Sequence, residues 1–107
     1  MKINICKDFS ETLGARYISE GPFSGEEFRD TILIPKYEEA IAKDEKLIIE
    51  LDGGYGYPTS FLEEAFGGLA RQFNPEEVLN TLYFISDDEP SLIEEIKRYI
   101  SSANQGR

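Results

Sequence analysis

The chain has no histidine and no tryptophan, a single cysteine, and no long run of apolar residues. Without histidine there is no Ser-His or Cys-His nucleophilic pair and no imidazole acid–base chemistry, and the usual zinc ligand is missing. The lone Cys6 excludes an internal disulfide and any Cys-x-x-Cys motif. It reads as a small buried hydrophobe on a strand. No stretch approaches the ~18 apolar residues that span a bilayer. Met1 to Cys6 lacks the apolar centre of a secretory signal. Basic side chains are scarce: 11 Lys and Arg stand against 21 Asp and Glu, a formal charge of −10. Such a surface repels phosphate backbones and anionic lipid, so neither nucleic acid nor membrane is expected as a partner. The expectation is a soluble, cytoplasmic protein without catalytic residues, cofactor or bound metal.

What is present is globular. With 107 residues, 40% of them hydrophobic and 30% charged, the chain suits one domain over 1–107 around one core. The polar stretch 101–107 reads as a mobile tail. Ile3 and Ile5 flank Asn4 in a short strand pattern, and Arg16 to Ser19 reads as a second strand. Ser24-Gly25-Glu26-Glu27 fits a capping box that opens a helix over 25–43, with Phe28, Ile32, Ala40 and Ile41 inward and Pro35 kinking or splitting it. Lys46 to Asp52 reads as a central strand covered on both faces. Phe61, Leu62, Ala65, Phe66, Leu69, Ala70 and Phe73 form a wide apolar helical stripe. Asn74-Pro75 signals a further helix start, Leu82 to Ser86 a strand, and Asp87 to Pro90 a turn. Ser91 then opens a last helix with Leu92, Ile93, Ile96, Tyr99 and Ile100 inward. Strands alternating with helices predict an α/β sandwich, with helices packed on a mixed central sheet of about four strands.

Chemistry concentrates at one junction. Asp52-Gly53-Gly54-Tyr55-Gly56-Tyr57-Pro58-Thr59-Ser60 joins the most apolar strand to the clearest helix. Its glycines permit backbone conformations closed to other residues. Thr59 and Ser60 present two hydroxyls at a helix N-terminus, where unpaired amides favour negative charge. Ser60-x-x-Glu63 is also a plain capping box, as at Ser24 and Ser91. The loop lacks the Gly-Lys-Ser/Thr ending of a P-loop, and no Lys or Arg lies between Lys46 and Arg71. Tyr55 and Tyr57 read either as covers for the end of the sheet or as aromatic anchors for a partner. Arg16 and Arg29 are candidates to pair with Glu20, Glu26 or Asp52. Gly67-Gly68 inside the best helix should cost roughly 1–2 kcal/mol, so close packing on another element or a second chain must compensate.

At this junction the sequence resembles STAS domains (sulfate transporter and anti-sigma factor antagonist). It is most similar to the STAS-like domains of unknown function found as small bacterial proteins or beside ATPase modules. The likeness is carried by Lys7-Asp8-Phe9-Ser10, Gly14-Ala15-Arg16, Ser24-Gly25-Glu26-x-Phe28-Arg29, and Asp52-Gly53 leading to Ser60-Phe61-Leu62-Glu63-Glu64-Ala65-Phe66-Gly67-Gly68-Leu69. It implies the STAS-like sandwich and a regulatory role. In anti-sigma factor antagonists a serine at this helix start is the switch: free, it permits binding of a kinase/anti-sigma factor, and phosphorylated, it prevents it. Where they usually read Asp-Ser-Ser-Gly, this chain has Pro58-Thr59-Ser60-Phe61.

The resulting expectation is a protein-binding regulatory module. Its partner, by resemblance an ATPase-type kinase, would be met through Asp52, Gly53, Gly54, Tyr55, Gly56, Tyr57, Thr59, Ser60 and Glu63 and the face of the following helix. Ser60 and Thr59 are the phosphorylation candidates, and a homodimer is a further partner option. Two alternatives stand beside it: a small-ligand or nucleotide site at the glycine loop, and a Mg²⁺ site of converging carboxylates at Asp8, Asp52, Asp87 and Asp88.

Overall fold

The computed structural model describes residues 1–103. Three strands form the sheet: β1 (Lys2–Asn4), β2 (Leu47–Glu50) and β3 (Leu82–Ile85), in the order β1-β2-β3. Every pairing is parallel, with Ile3 opposite Ile49 and Ile49 opposite Phe84. The expected mixed sheet of four strands is therefore a parallel sheet of three.

Residues 16–19, expected as the fourth strand, form no ladder. Their backbone is used elsewhere. The carbonyls of Ala15 and Arg16 accept from the amides of Gly25 and Glu26, capping the helix that follows. The amides of Tyr17 and Ile18 donate to the carboxylates of Glu20 and Glu26. Ile18–Glu20 closes into a 3₁₀ turn. Tyr17 and Ile18 stay exposed, so the apolar pair that suggested a strand buries little.

Helix α1 (Ile5–Asp8) follows β1 directly. Cys6 thus lies half-buried on a helical turn, not buried on a strand. Helix α2 runs unbroken over 25–43 as an α-helical turn Gly25–Phe28, a π-helical segment Arg29–Leu33 and a longer α-helical part Ile34–Lys43. Pro35 neither splits it nor ends it. Proline cannot donate to the preceding turn, and that turn is the widened one, where Ile34 N–H reaches back to Arg29 C=O. Ser24 Oγ caps the start by accepting from Glu27 N at 3.0 Å. Glu27 accepts from Phe23 N rather than from the serine amide, so the expected reciprocal box is only half made. Phe28, Leu33, Tyr37 and Ala40 face inward, whereas Ile41 is exposed.

Helix α3 is likewise continuous, from Thr59–Leu62 through a π-helical Glu63–Gly67 to Gly68–Gln72. Its expected stripe is buried from Phe61 to Ala70, but Phe73, expected to continue it, follows the helix end and is exposed. Helix α4 (Pro75–Thr81) starts as the sequence signals, with Asn74 Oδ1 accepting from Glu77 N. Helix α5 (Ser91–Ser101) begins after Pro90 without a side-chain cap, so Ser91 is its first residue and not its cap. Of its expected inner face, Leu92, Ile96 and Ile100 are buried, and Ile93 and Tyr99 pack partly against the core. Of the stretch expected as a tail, Ser101 ends α5 and Ala103 is buried; 104–107 lie outside the described residues.

The helices cover one face of the sheet. Ile3, Leu47, Ile49, Leu82 and Phe84 are buried beneath them. On the opposite face Lys2 and Tyr83 are exposed, and Asn4, Ile48, Glu50 and Ile85 are half-buried. β2 is central but is not enclosed on both sides, as its sequence suggested.

Two glycines explain how tightly α2 and α3 meet. A Cβ on Gly25 would stand 2.5 Å from the carbonyl oxygen of Phe61. A Cβ on Gly68 would collide with the guanidinium of Arg29. The helix-propensity cost of Gly68 is thus offset within the chain, by room for a buried arginine.

Candidate functional site

Because all strands are parallel, the segments leaving β1, β2 and β3 emerge at one end of the sheet. In open α/β sheets this carboxyl end is where ligand sites collect. Three contacts knit the segments together. Cys6 Sγ donates to Gly53 C=O at 3.2 Å. The Asp52 carboxylate accepts from the amides of Asp87 and Asp88, each at 2.9 Å. Tyr55 N donates to Glu11 C=O at 3.2 Å.

The loop after β2 is built on two positive-φ glycines, Gly53 at 103° and Gly56 at 142°, a region that L side chains rarely adopt. Tyr57 folds inward, and its hydroxyl donates to Leu51 C=O at 2.8 Å. Burial pushes that phenol well above its ordinary pKa, with the nearby Cys6 and Asp52 adding to the effect. Tyr55 points away and is 84% exposed. The two tyrosines divide the roles considered for them: Tyr57 closes the end of the sheet, and Tyr55 is offered to solvent. Tyr57→Phe should keep the ring packing, lose one hydrogen bond and cost about 1 kcal/mol. Urea denaturation checks the cost. Faster hydrogen exchange confined to 52–58 would locate it.

Pro58, extended, precedes α3, and no side chain caps the first turn. The expected Ser60-x-x-Glu63 capping box is therefore absent: Ser60 is the second helical residue, two positions past the cap at Pro58. Thr59 is exposed and Ser60 half-buried. Beyond them α3 sinks into the protein, with Phe61, Leu62 and 64–70 all buried. The accessible surface is accordingly Gly53 to Ser60, and the face of the following helix is not open to a partner. Glu63 is also withdrawn from this surface. Its two oxygens accept from Arg16 and Arg71, the latter at 2.7 Å.

Glu63 belongs to an ion network that sequence spacing did not assign. Arg29 Nη1 meets Glu64 Oε2 at 2.5 Å and Glu64 C=O at 3.0 Å, and its Nε meets Asp30. Arg16 also reaches Glu64, at 3.3 Å. The arginines thus pair with acids of α3 and with Asp30, not with the expected Glu20, Glu26 or Asp52. One signal was legible: Gly68 lies one turn after Glu64, and the missing side chain leaves space beside that carboxylate.

Burial would raise the Glu63 carboxyl pKa, but donation from Arg71 and Arg16 outweighs it and the value is lowered. A depressed carboxyl contributes stability above its unfolded pKa and loses it as pH falls through the folded value. Stability should therefore drop as pH falls below about 4.5. Glu63→Gln should show a smaller loss over that range in denaturation curves at successive pH values. Identical pH profiles would remove Glu63 from the account.

The four aspartates considered as a Mg²⁺ cage do not converge. Asp8 accepts from Asn4 N at the start of its own helix. Asp52 is engaged with the amides of the 87–88 turn rather than with its carboxylates. Among the described residues no three His, Cys, Asp or Glu side chains are grouped to hold a metal ion, and no helix is long and apolar enough to cross a membrane.

A family model described as a STAS-like domain of unknown function (DUF4325) matches residues 24–92. That span includes α2, β2, the glycine loop, α3 and β3. No curated protein matches the chain, and no solved structure does.

Proposed function

This chain belongs to the family of STAS-like domains of unknown function, and from that premise we propose that it is a cytoplasmic regulatory module, not an enzyme, that binds a protein partner through the 53–60 loop and the first turn of α3. The observation that carries the reading is the exposed corner: Tyr55, 84% exposed on a glycine-shaped loop, beside the open Thr59 and half-open Ser60. A tyrosine is an effective anchor because it offers large contact area at low entropy cost. The formal charge of −10 favours a partner with a basic surface.

Thr59 and Ser60 are the hydroxyls of a switch in this reading, worked by an ATPase-type kinase as in anti-sigma factor antagonists. A phosphate on either would add about −1.5 to −2 charges at the end of an uncapped helix. The helix terminus favours that charge, so the modified chain stays folded. The same charge in the middle of a contact surface weakens docking by desolvation.

The test is affinity capture from the native host followed by binding measurements on the purified partner. Tyr55→Ala should bind about tenfold or more weakly, and Thr59→Asp or Ser60→Asp should also weaken binding, with circular dichroism unchanged. Equal capture by wild type and all three variants sinks the reading. Loss with Tyr55→Ala alone would keep the interface and remove the switch. A rise in melting temperature with added nucleotide would favour the small-ligand alternative.

A further inference from the structure

A second surface lies at the outer edge of the sheet. In a parallel ladder, alternate residues direct both backbone groups to the same neighbour. Ile85 C=O accepts from Leu51 N at 2.9 Å, so Tyr83 and Ile85 face β2. The N–H and C=O of Phe84 consequently point out of the sheet, and β3 is last in the strand order. Beside this edge runs a groove of about 430 Å³. Its apolar lining includes Ile48, Leu79, Phe84 and Ile93, and Lys46 and Lys97 flank it. Among the described residues no Asp or Glu lines it, although acids outnumber bases 21 to 11 in the chain. Tyr83, at its rim, is 61% exposed.

We propose that the open edge of β3 takes an extended acidic segment of a partner protein as a fourth strand. The backbone groups of Phe84 supply main-chain pairing, which gives such additions their affinity. An apolar side chain of the segment fills the groove, and neighbouring carboxylates meet Lys46 and Lys97. Charge decides the occupant. The two lysines at the groove favour carboxylates at contact range, while the chain's net charge of −10 opposes the approach of an acidic segment at longer range and is screened by salt. A second copy is disfavoured, because a twofold contact would set this lysine-bearing patch against itself and bring two like-charged chains together.

The probe is a phage-displayed random heptapeptide library selected on the immobilised full chain. The enriched sequences should alternate apolar and acidic residues. A labelled synthetic copy should bind in fluorescence anisotropy, slow amide exchange at Phe84, and bind Tyr55→Ala as well as wild type. Lys97→Glu reverses a charge on an exposed helical position and should weaken binding about fivefold. Absence of enrichment, enrichment of basic or neutral sequences, or unaltered binding to Lys97→Glu would overturn the proposal. So would a dimer in sedimentation with the Phe84 amide already protected.

Discussion

Gly25→Ala is expected to destabilise the protein by about 2–3 kcal/mol, although it adds a single methyl group. Gly25 is buried in the first turn of α2 and held from two sides. Its own amide donates to Ala15 C=O at 2.9 Å. The position of a new Cβ is 2.5 Å from the Phe61 carbonyl oxygen and 3.2 Å from Glu64 Cβ. The nearest obstacle is backbone of α3 and cannot rotate away, so the two helices must separate. Separation loosens the contacts of Phe28 with Phe61 and Phe66, whose ring centroids lie 5.8 and 6.2 Å from it. For a chain of this size the loss corresponds to a fall in Tm of about 10–15 °C. A thermal melt of Gly25→Ala matching wild type would mean that α2 and α3 are not held at this distance.

Glu64→Gln is expected to cost about 3 kcal/mol. The amide keeps the shape and removes the charge facing Arg29, whose side chain is only 9% exposed. Asp30 remains as a partner for Nε, but its side chain is 44% exposed and solvent screens it more than Glu64. A guanidinium that loses its buried counter-charge carries a desolvation penalty that Asp30 and the Glu64 carbonyl repay only in part. Replacing both partners with methionine should cost less than Glu64→Gln alone, because no uncompensated charge is then left inside. Urea denaturation of wild type, the single variant and the double variant decides this. A Glu64→Gln stability within about 0.5 kcal/mol of wild type would show that solvent already screens the pair.

Both effects arise at the contact between α2 and α3, and this contact sets where the exposed corner sits. Gly25 fixes how near α3 comes, and the arginine–glutamate network fixes its rotation. Phe61 is buried as a consequence, and Thr59 and Ser60 are carried to the rim of the sheet. The corner itself needs few internal bonds, since its backbone is held by Tyr57, Asp52 and Cys6 from below. Support lies beneath the loop, and Tyr55 is left free above it.

Sequence reading succeeded wherever a local pattern was sufficient. The apolar run at 47–51, the stripe from Phe61 to Ala70 and the Asn74-Pro75 start each encode their structure within a few residues. It failed where the partner lies far along the chain. Residues 16–19 have strand-like side chains, yet their carbonyls serve as acceptors for the start of α2. Ser60 and Ser91 match a capping pattern, but helices α3 and α5 begin one or two residues earlier than that pattern requires. A short strand and a short cap are weak signals, and at 16–19 long-range hydrogen bonds outweigh the strand pattern.

The amino-acid sequence by itself determined the α/β alternation, the exclusion of histidine, disulfide and Cys-x-x-Cys chemistry, and the glycine loop with its two hydroxyls. Tertiary structure alone decided that three strands, all parallel, form the sheet among the described residues, that Arg16 and Arg29 pair with acids of α3, and that β3 lies at an edge of the sheet with a groove beside it. The physical reason is range. Periodicity and capping act between residues within a turn or two of one another, whereas strand order, charge pairing and helix approach are set by segments that meet only after the chain has packed.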